Sequence, residues 1–205
     1  KASNWLVWLS SFTIFTASII AISKDDLKAR LAYSTISQLS YIILGAALAT
    51  TFALKGASFH IITHAIGKIT LFFCAGAIYV TAHVKKISEL GGLGFKTPMI
   101  FFAYTLGALS IIGVPPLIGS WSKLFLVIGS LEADFLFVAV LLGISSLLNI
   151  YYLLQPVFIA FNKKNIKNLN ITKAPLTVWP PVITGVGCLF LFFFSNYFLN
   201  IINGV

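Results

Sequence analysis

Three basic side chains recur at helical spacing in one apolar stretch. His60, His64 and Lys68 stand four residues apart, and about 100° per residue places all three within about 80° on one helical face. An imidazole, with an ordinary pKa of about 6.5, accepts and donates protons near neutral pH. An ammonium group removed from water releases its proton more readily. The column therefore predicts a proton relay, and hydrogen bonding between helices is the alternative.

A second lysine follows a predicted helix break. Gly113, Pro115, Pro116 and Gly119 interrupt an apolar stretch, and Lys123 comes four residues after the last of them. An ammonium group at the centre of a membrane helix costs about 2.5 to 3.5 kcal/mol, so it usually faces a cavity or a partner. A broken helix leaves backbone groups that protein or water must satisfy, which is typical of ion or substrate sites. A plain proline kink is the alternative.

Two further stretches carry hydroxyl and amide groups on one face. These candidates for lining a hydrated path are Ser34, Ser37, Gln38, Tyr41, Ser145, Asn149 and Tyr152. Hydrogen bonds between helices, at about 0.6 kcal/mol each, are the alternative. All five carboxylates fall in predicted loops, so the partners of the two lysines must come from other spans.

The amino-acid composition indicates whether these helices lie in water or in lipid. The 205 residues are 59% apolar and 9% charged, with a mean hydropathy of +0.98, whereas about a quarter of a soluble domain is charged. A chain of this length cannot bury so much apolar surface in its own core, so we predict an integral membrane protein. The net charge of +9 is scattered between apolar runs, which does not resemble a nucleic-acid surface.

Apolar runs of membrane-spanning length predict an all-α bundle of about six spans. Five runs are continuous, at 5–23, 31–49, 57–82, 134–161 and 178–203, and the sixth, 97–131, contains the break. It is either one broken span or two spans. The piece after the break is too short to cross alone, which favours one broken span.

Loop charges also favour one broken span. In that case ten basic residues lie on one side, and only Lys1 and Lys55 lie on the other. The ten are Lys24, Lys28, Arg30, Lys85, Lys86, Lys96, Lys163, Lys164, Lys167 and Lys173. Short-loop Lys and Arg concentrate on the cytoplasmic side. We therefore expect a cytoplasmic loop from Phe161 to Pro175, with both chain ends on the outer side.

No site for covalent catalysis or for a cofactor is apparent. Cys74 and Cys188 lie in apolar runs without metal-ligand spacing. No nucleophile elbow, phosphate loop, dinucleotide fingerprint or iron–sulfur spacing is present. We predict an ion transporter subunit that needs no metal and no cofactor.

Four motifs resemble the antiporter-like membrane subunits. They are KDDLKARLAYSTISQLSYI from Lys24, HIITHAIGKITLFFCAGAI from His60, ISELGGLG from Ile87 and GALSIIGVPPLIGSWSK from Gly107. This family unites the large subunits of Mrp-type Na+/H+ antiporters with the proton-pumping membrane subunits of respiratory complex I. The segments ITLFFCAGAIY, GSLEADFL and SSLLNIYYL look most like the D-type component of the Mrp antiporters.

The resemblance implies roles for the same residues. Lys68 matches the central lysine of the second of two inverted repeats, His60 and His64 match its relay neighbours, and Lys123 matches the lysine after the second broken helix. It implies monovalent cation/H+ exchange in a multi-subunit complex of the bacterial inner membrane, with membrane lipid, H+ and Na+ as further partners. A proton-pumping subunit of NADH-quinone oxidoreductase is the alternative. Ser40 and Gly67 depart from the usual residues, which bears on packing.

The resemblance also divides the chain. Residues 1–165 match the second repeat, and 166–205 comprise the end of the cytoplasmic loop and a final helix. The family's first repeat has no counterpart here, and the chain opens with Lys1 rather than Met, so we expect part of something longer. The remainder is either in a longer chain, encoded separately or lost, and in the last case the product is a structural, non-transporting fragment.

Overall fold

The computed structural model describes residues 3–162, 172 and 174–203, and it is a bundle of helices. The helices are α1 Asn4–Ser23, α2 Leu27–Leu48, α3 Thr51–Ala82, α4 Leu93–Lys96, α5 Pro98–Ile112, α6 Gly119–Glu132, α7 Leu136–Ala160, α8 Pro175–Phe193 and α9 Ser195–Asn203, with a 3₁₀ turn at Ile87–Glu89. Five of them (α1, α2, α3, α7 and α8) are long and apolar enough to cross a membrane. The prediction of an all-α polytopic bundle is confirmed.

Side-chain caps extend two spans beyond their apolar runs. The Asp26 carboxylate accepts a hydrogen bond from Ala29 N at 2.8 Å, so α2 begins at Leu27 rather than residue 31. The Thr50 hydroxyl accepts from Ala53 N at 3.2 Å, and α3 begins six residues before the predicted 57. Hydropathy does not detect these starts because capping depends on one polar oxygen rather than on apolar length.

The predicted break lies between α5 and α6. Gly113 ends α5 with φ +90, a conformation that favours glycine. A Cβ on Gly119, the first residue of α6, would collide with the carbonyl oxygen of Ser110. Ile118 N donates to Cys188 O of α8 at 3.3 Å. A neighbouring helix therefore satisfies one of the backbone groups that the break leaves without a helical partner.

Hydrogen bonds at the two ends of the bundle show that α5 and α6 together form a single crossing. At one end, Leu27 N donates to Lys85 O, and Thr172 N, after α7, donates to Thr81 O at 2.9 Å. At the other end, the Thr50 hydroxyl donates to Gly129 O near the end of α6. The segment after α7 therefore lies at the same end of the bundle as the α1–α2 turn, as one broken span requires.

The final span differs from its prediction as one continuous helix. A turn at Phe194 separates α8 from α9, and Tyr197 N donates to Phe194 O at 3.0 Å. This tighter bond, three residues apart, replaces the α-helical pattern. Most of the predicted cytoplasmic loop, 163–171 and Lys173, and the predicted boundary at residue 165 lie outside the described residues.

The bundle has an apolar outer surface and a partly polar interior. Phe12, Leu147 and Phe158 are at least 67% exposed, as expected for side chains that meet lipid. One charge that we assigned to a loop is inside: Arg30 lies in the first turn of α2 and is only 4% exposed. Its assignment to a loop was wrong, because the cap at Asp26 brings it into the first turn of α2.

Candidate functional site

Lys68 lies near the middle of α3 and is buried. Its ammonium donates to Ser34 Oγ at 2.7 Å and to the carbonyl oxygen of Leu31 at 3.1 Å, both on α2. Both acceptors are neutral oxygens. The lysine can therefore lose or gain a proton without leaving an oppositely charged partner unpaired.

The histidine column extends from Lys68 toward α6. The rings of His60 and His64 are stacked with centroids 5.9 Å apart. His60 Nδ1 lies 3.0 Å from Ser122 Oγ. The column predicted on one helix face is therefore present, and it ends at the residue before Lys123.

Tyr41 links the column to the second lysine. Its ring stacks on His60 with centroids 5.4 Å apart, and the ammonium of Lys123 lies 5.3 Å from its centroid. Lys123 also donates to Ser146 Oγ on α7 at 3.1 Å. Residues from α2, α3, α6 and α7 thus form two sets of polar contacts that adjoin where Lys68 follows His64 by one turn of α3. Together we call them the polar axis: Ser34, Tyr41, His60, His64, Lys68, Ser122, Lys123, Ser146, Asn149 and Tyr152.

On α7 the axis continues behind Lys68. The hydroxyl oxygens of Tyr152 and Ser34 lie 3.2 Å apart, and the Tyr152 hydroxyl donates to the side-chain oxygen of Asn149. All three side chains are fully buried. Tyr152 therefore reaches the acceptor of Lys68 directly, and Asn149 is joined to it through Tyr152.

Several buried polar atoms along the axis have no hydrogen-bond partner among the described residues. They are Nε2 and Oε1 of Gln38, the hydroxyl oxygen of Tyr41, Nε2 of His60, Nδ1 of His64, Oγ of Ser145 and Nδ2 of Asn149. Buried polar groups normally pair with protein or with ordered water. These positions therefore suit bridging water molecules, which can carry protons between the side chains.

The break also forms a cavity of about 560 Å³ beside Lys123. Its walls include Gly113, Pro115, Trp121 and Ser146. Lys123 is partly buried between this cavity and Tyr41. The second lysine therefore borders open space as well as the ring of Tyr41.

One residue predicted to line the hydrated path, Ser37, lies apart from the polar axis. The Ser37 hydroxyl bonds to Ser18 Oγ at 3.0 Å and to the carbonyl oxygen of Ile14 at 3.1 Å. It therefore joins α2 to α1, and within the described part of the chain it has no hydrogen bond to Lys68 or Lys123. Sequence reasoning missed Ser122 and Ser146. Ser122 directly precedes Lys123, which was a visible signal, whereas the choice of Ser146 over Ser145 depends on the rotation of α7.

Comparison with known proteins identifies the family. A family model described as the transmembrane part of NADH:quinone oxidoreductase/Mrp antiporter matches residues 1–149. The chain belongs to this family. Every residue of the polar axis except Tyr152 lies within the matched part of the chain.

Similar proteins include the following curated relative and two solved structures. NADH-quinone oxidoreductase subunit N of Desulforudis audaxviator (strain MP104C) is 42% identical over 159 residues, 77% of this chain and 32% of the relative. A chain of the Mrp complex from Dietzia sp. DQ12-45-1b has a TM-score of 0.88 at 22% identity, over 96% of this chain and 45% of its own length.

A chain of respiratory complex I from Thermus thermophilus with bound NADH has a TM-score of 0.86 at 21% identity, over 95% of this chain and 41% of its own length. At these identities the two structures show a shared fold. The chain spans about a third of the curated relative, at 32%. It is a membrane subunit of the combined Mrp and complex I family.

Proposed function

We propose that this chain moves protons along the polar axis between Lys68 and Lys123. The observation that supports the proposal is the order of contacts from His64 through His60 and Tyr41 to Lys123, with Lys68 one turn beyond His64 on the same face of α3. Each of the five has a group that exchanges a proton or contacts one that does. The hydrogen-bond acceptors of the two lysines are neutral oxygens, so no fixed negative charge holds a proton on either lysine.

The mechanism is electrostatic and needs no cofactor. A proton on Lys68 opposes a second proton on the neighbouring imidazole through Coulomb repulsion, which is strong where water is scarce. When the charge moves to His60, the same repulsion acts on Lys123. Charge therefore moves stepwise, with hydroxyl groups and water carrying the proton between fixed side chains.

The proposed complex is a monovalent cation/H+ antiporter of the Mrp type, with Na+ as the exchanged ion. Residues 1–165 would form the second repeat, and 166–205 the loop end and final helix. The end of the bundle that holds the α1–α2 turn would face the cytoplasm across a bacterial inner membrane, because its lysines follow the positive-inside pattern. Both chain ends would then be on the outer side. The first repeat and further subunits are the expected partners.

A specific observation favours a second complex. The curated relative that is 42% identical to this chain is named as a subunit of NADH-quinone oxidoreductase. In that complex, the same polar axis would move protons in response to quinone chemistry in other subunits. The two candidates share the proton path and differ only in what drives it.

The test is proton flux in inverted membrane vesicles that carry the full-length subunit and its partners. We expect Lys68→Ala and Lys123→Ala to abolish flux while they insert at normal levels. Lys28→Ala is the matched control, because Lys28 is exposed and its ammonium lies over the Tyr79 ring. Flux driven by a Na+ gradient alone supports the antiporter, and flux that requires NADH and quinone supports the oxidoreductase.

Unchanged flux in both lysine variants would contradict the proposal. In that case the polar axis only holds helices together, and the chain is a structural membrane element. The two lysine substitutions would then alter thermal stability and nothing else.

A further inference from the structure

Pro156 interrupts the hydrogen bonding of α7 beside the polar axis. Proline has no N–H, so the carbonyl of Tyr152, four residues earlier, loses its helical donor. At membrane depth such a carbonyl requires another donor. Arg30 supplies one from α2: its Nη1 donates to Tyr152 O at 3.3 Å and to Gln155 Oε1 at 2.5 Å.

The rest of the same guanidinium binds the end of α1. Nη2 donates to Ile22 O at 3.3 Å, and Nε donates to Lys24 O at 2.9 Å. The carbonyl of Ile22 is among the last four of its helix, which have no partner within the helix. A cation there also complements the helix dipole.

The acceptors of Arg30 are all uncharged oxygens on three different segments. Asp25 is close in sequence, but its carboxylate accepts from the Ser88 hydroxyl at 2.7 Å. Arginine offers five N–H groups in a rigid plane, whereas lysine offers a single flexible ammonium. Only a planar guanidinium can bind the end of α1 and the carbonyl on α7 at the same time.

We propose that Arg30 is a positioning residue that fixes Tyr152 and, through it, the hydrogen-bond acceptor of Lys68. Arg30 holds the Tyr152 backbone, the Tyr152 hydroxyl lies 3.2 Å from Ser34 Oγ, and Ser34 Oγ accepts from Lys68 at 2.7 Å. Without the guanidinium, α7 shifts at Pro156 and Ser34 loses its neighbour. The inference rests on the proton path proposed above.

The functional test uses Arg30→Lys in the full-length subunit with its partners. We expect proton flux to fall by about two- to thirtyfold, the range typical of residues that act through a network, with a displaced pH profile. Tyr152→Phe should displace the pH profile in the same direction. The double variant should be no worse than the more severe single variant, because both changes interrupt one chain of contacts. An unchanged pH profile, or additive losses, overturns the proposal.

The proline provides a second test that reports on the contact itself. Pro156→Ala gives the Tyr152 carbonyl an N–H donor within α7, so Arg30→Lys should cost less flux in that background than in the natural one. An equal cost in both backgrounds contradicts the role assigned to the guanidinium. If Arg30→Lys fails to insert, Gln155→Ala replaces it, since it removes one of the four acceptors and should act in the same direction.

A distance measurement separates this inference from the proposed function. Spin labels at Leu39 and Leu147, both exposed, report the separation of α2 and α7. Arg30→Lys should shift or broaden that distance, and Lys28→Ala should not. If Lys68→Ala leaves flux intact, the proton path fails, whereas an unchanged distance in Arg30→Lys overturns the positioning role alone.

Discussion

His60 and Ser122 join α3 to the second half of the broken helix, with Nδ1 and Oγ 3.0 Å apart. The Ser122 hydroxyl also donates to the carbonyl oxygen of Gly119 at 3.0 Å. Since its single proton is used there, we expect its oxygen to accept from an Nδ1–H of the imidazole. Nε2 of His60 is then the nitrogen that takes up a proton, and it has no partner among the described residues.

Ser122→Ala tests this arrangement. Removing the acceptor frees the imidazole to change its tautomer, so we expect proton flux to fall about two- to tenfold, the equivalent of one hydrogen bond. Ser130→Ala is the matched control, because Ser130 is also buried on α6 and bonds only to the carbonyl of Val127. The double variant with His60→Phe should be no worse than His60→Phe alone. Equal effects of the two serine variants would refute the assignment.

Ser34→Ala tests the acceptor of Lys68. A hydrogen bond to a charged group contributes about 1.5 to 3 kcal/mol, so we expect flux to fall on the order of tenfold or more. Ser40→Ala serves as the control on the same helix, since its hydroxyl bonds to the carbonyl of Ile36 at 3.0 Å. Flux measured in the same vesicles at matched expression decides the outcome. Retention of full flux by Ser34→Ala would mean that Leu31 O alone suffices for Lys68.

Gly119→Ala tests the close approach at the break. The added methyl group would collide with the Ser110 carbonyl, and such overpacking costs about 1 to 3 kcal/mol. Gly143→Ala meets nothing within 4 Å on α7, and alanine favours a helix over glycine by up to about 1 kcal/mol. The thermal unfolding midpoint of the purified protein should therefore fall in the first variant and hold or rise in the second. The same midpoint in both would show that the break has room to adjust.

The hydrogen bonds between Asp25 and Ser88 make the stability of the fold depend on pH, and both residues lie outside the membrane-spanning segments. Hydrogen bonds from the Ser88 hydroxyl and backbone N–H, at 2.7 and 3.0 Å, lower the pKa of the Asp25 carboxyl below its ordinary 3.8. Because the folded pKa is the lower one, this contact stabilises the fold above pH 3.8 and is lost as the pH falls through the folded value.

Ser88→Ala checks the sign of this effect. We expect it to lower the unfolding midpoint near neutral pH and to lose that effect in acid, where the carboxyl is protonated in both proteins. The effect should be small, because Asp25 is exposed. A stability difference that grows in acid would reverse the assignment.

The sequence alone determined the column and the break. His60, His64 and Lys68 share a face because helix periodicity is a local property, and the break at Gly113 follows from glycine and proline chemistry within a few residues. The all-helical class followed from composition, since a membrane leaves few ways to satisfy the backbone. The assignment of Arg30 to a loop was wrong because a single capping oxygen moved the start of α2.

The tertiary structure decided which groups meet. Ser146 rather than Ser145 reaches Lys123, Ser37 bonds to α1 instead of the lysines, and Arg30 binds a carbonyl 122 residues away in sequence. Each of these depends on the rotation and spacing of packed helices. Side-chain packing over the whole bundle sets both, so neighbouring serines that look equivalent in sequence end on different sides of a helix.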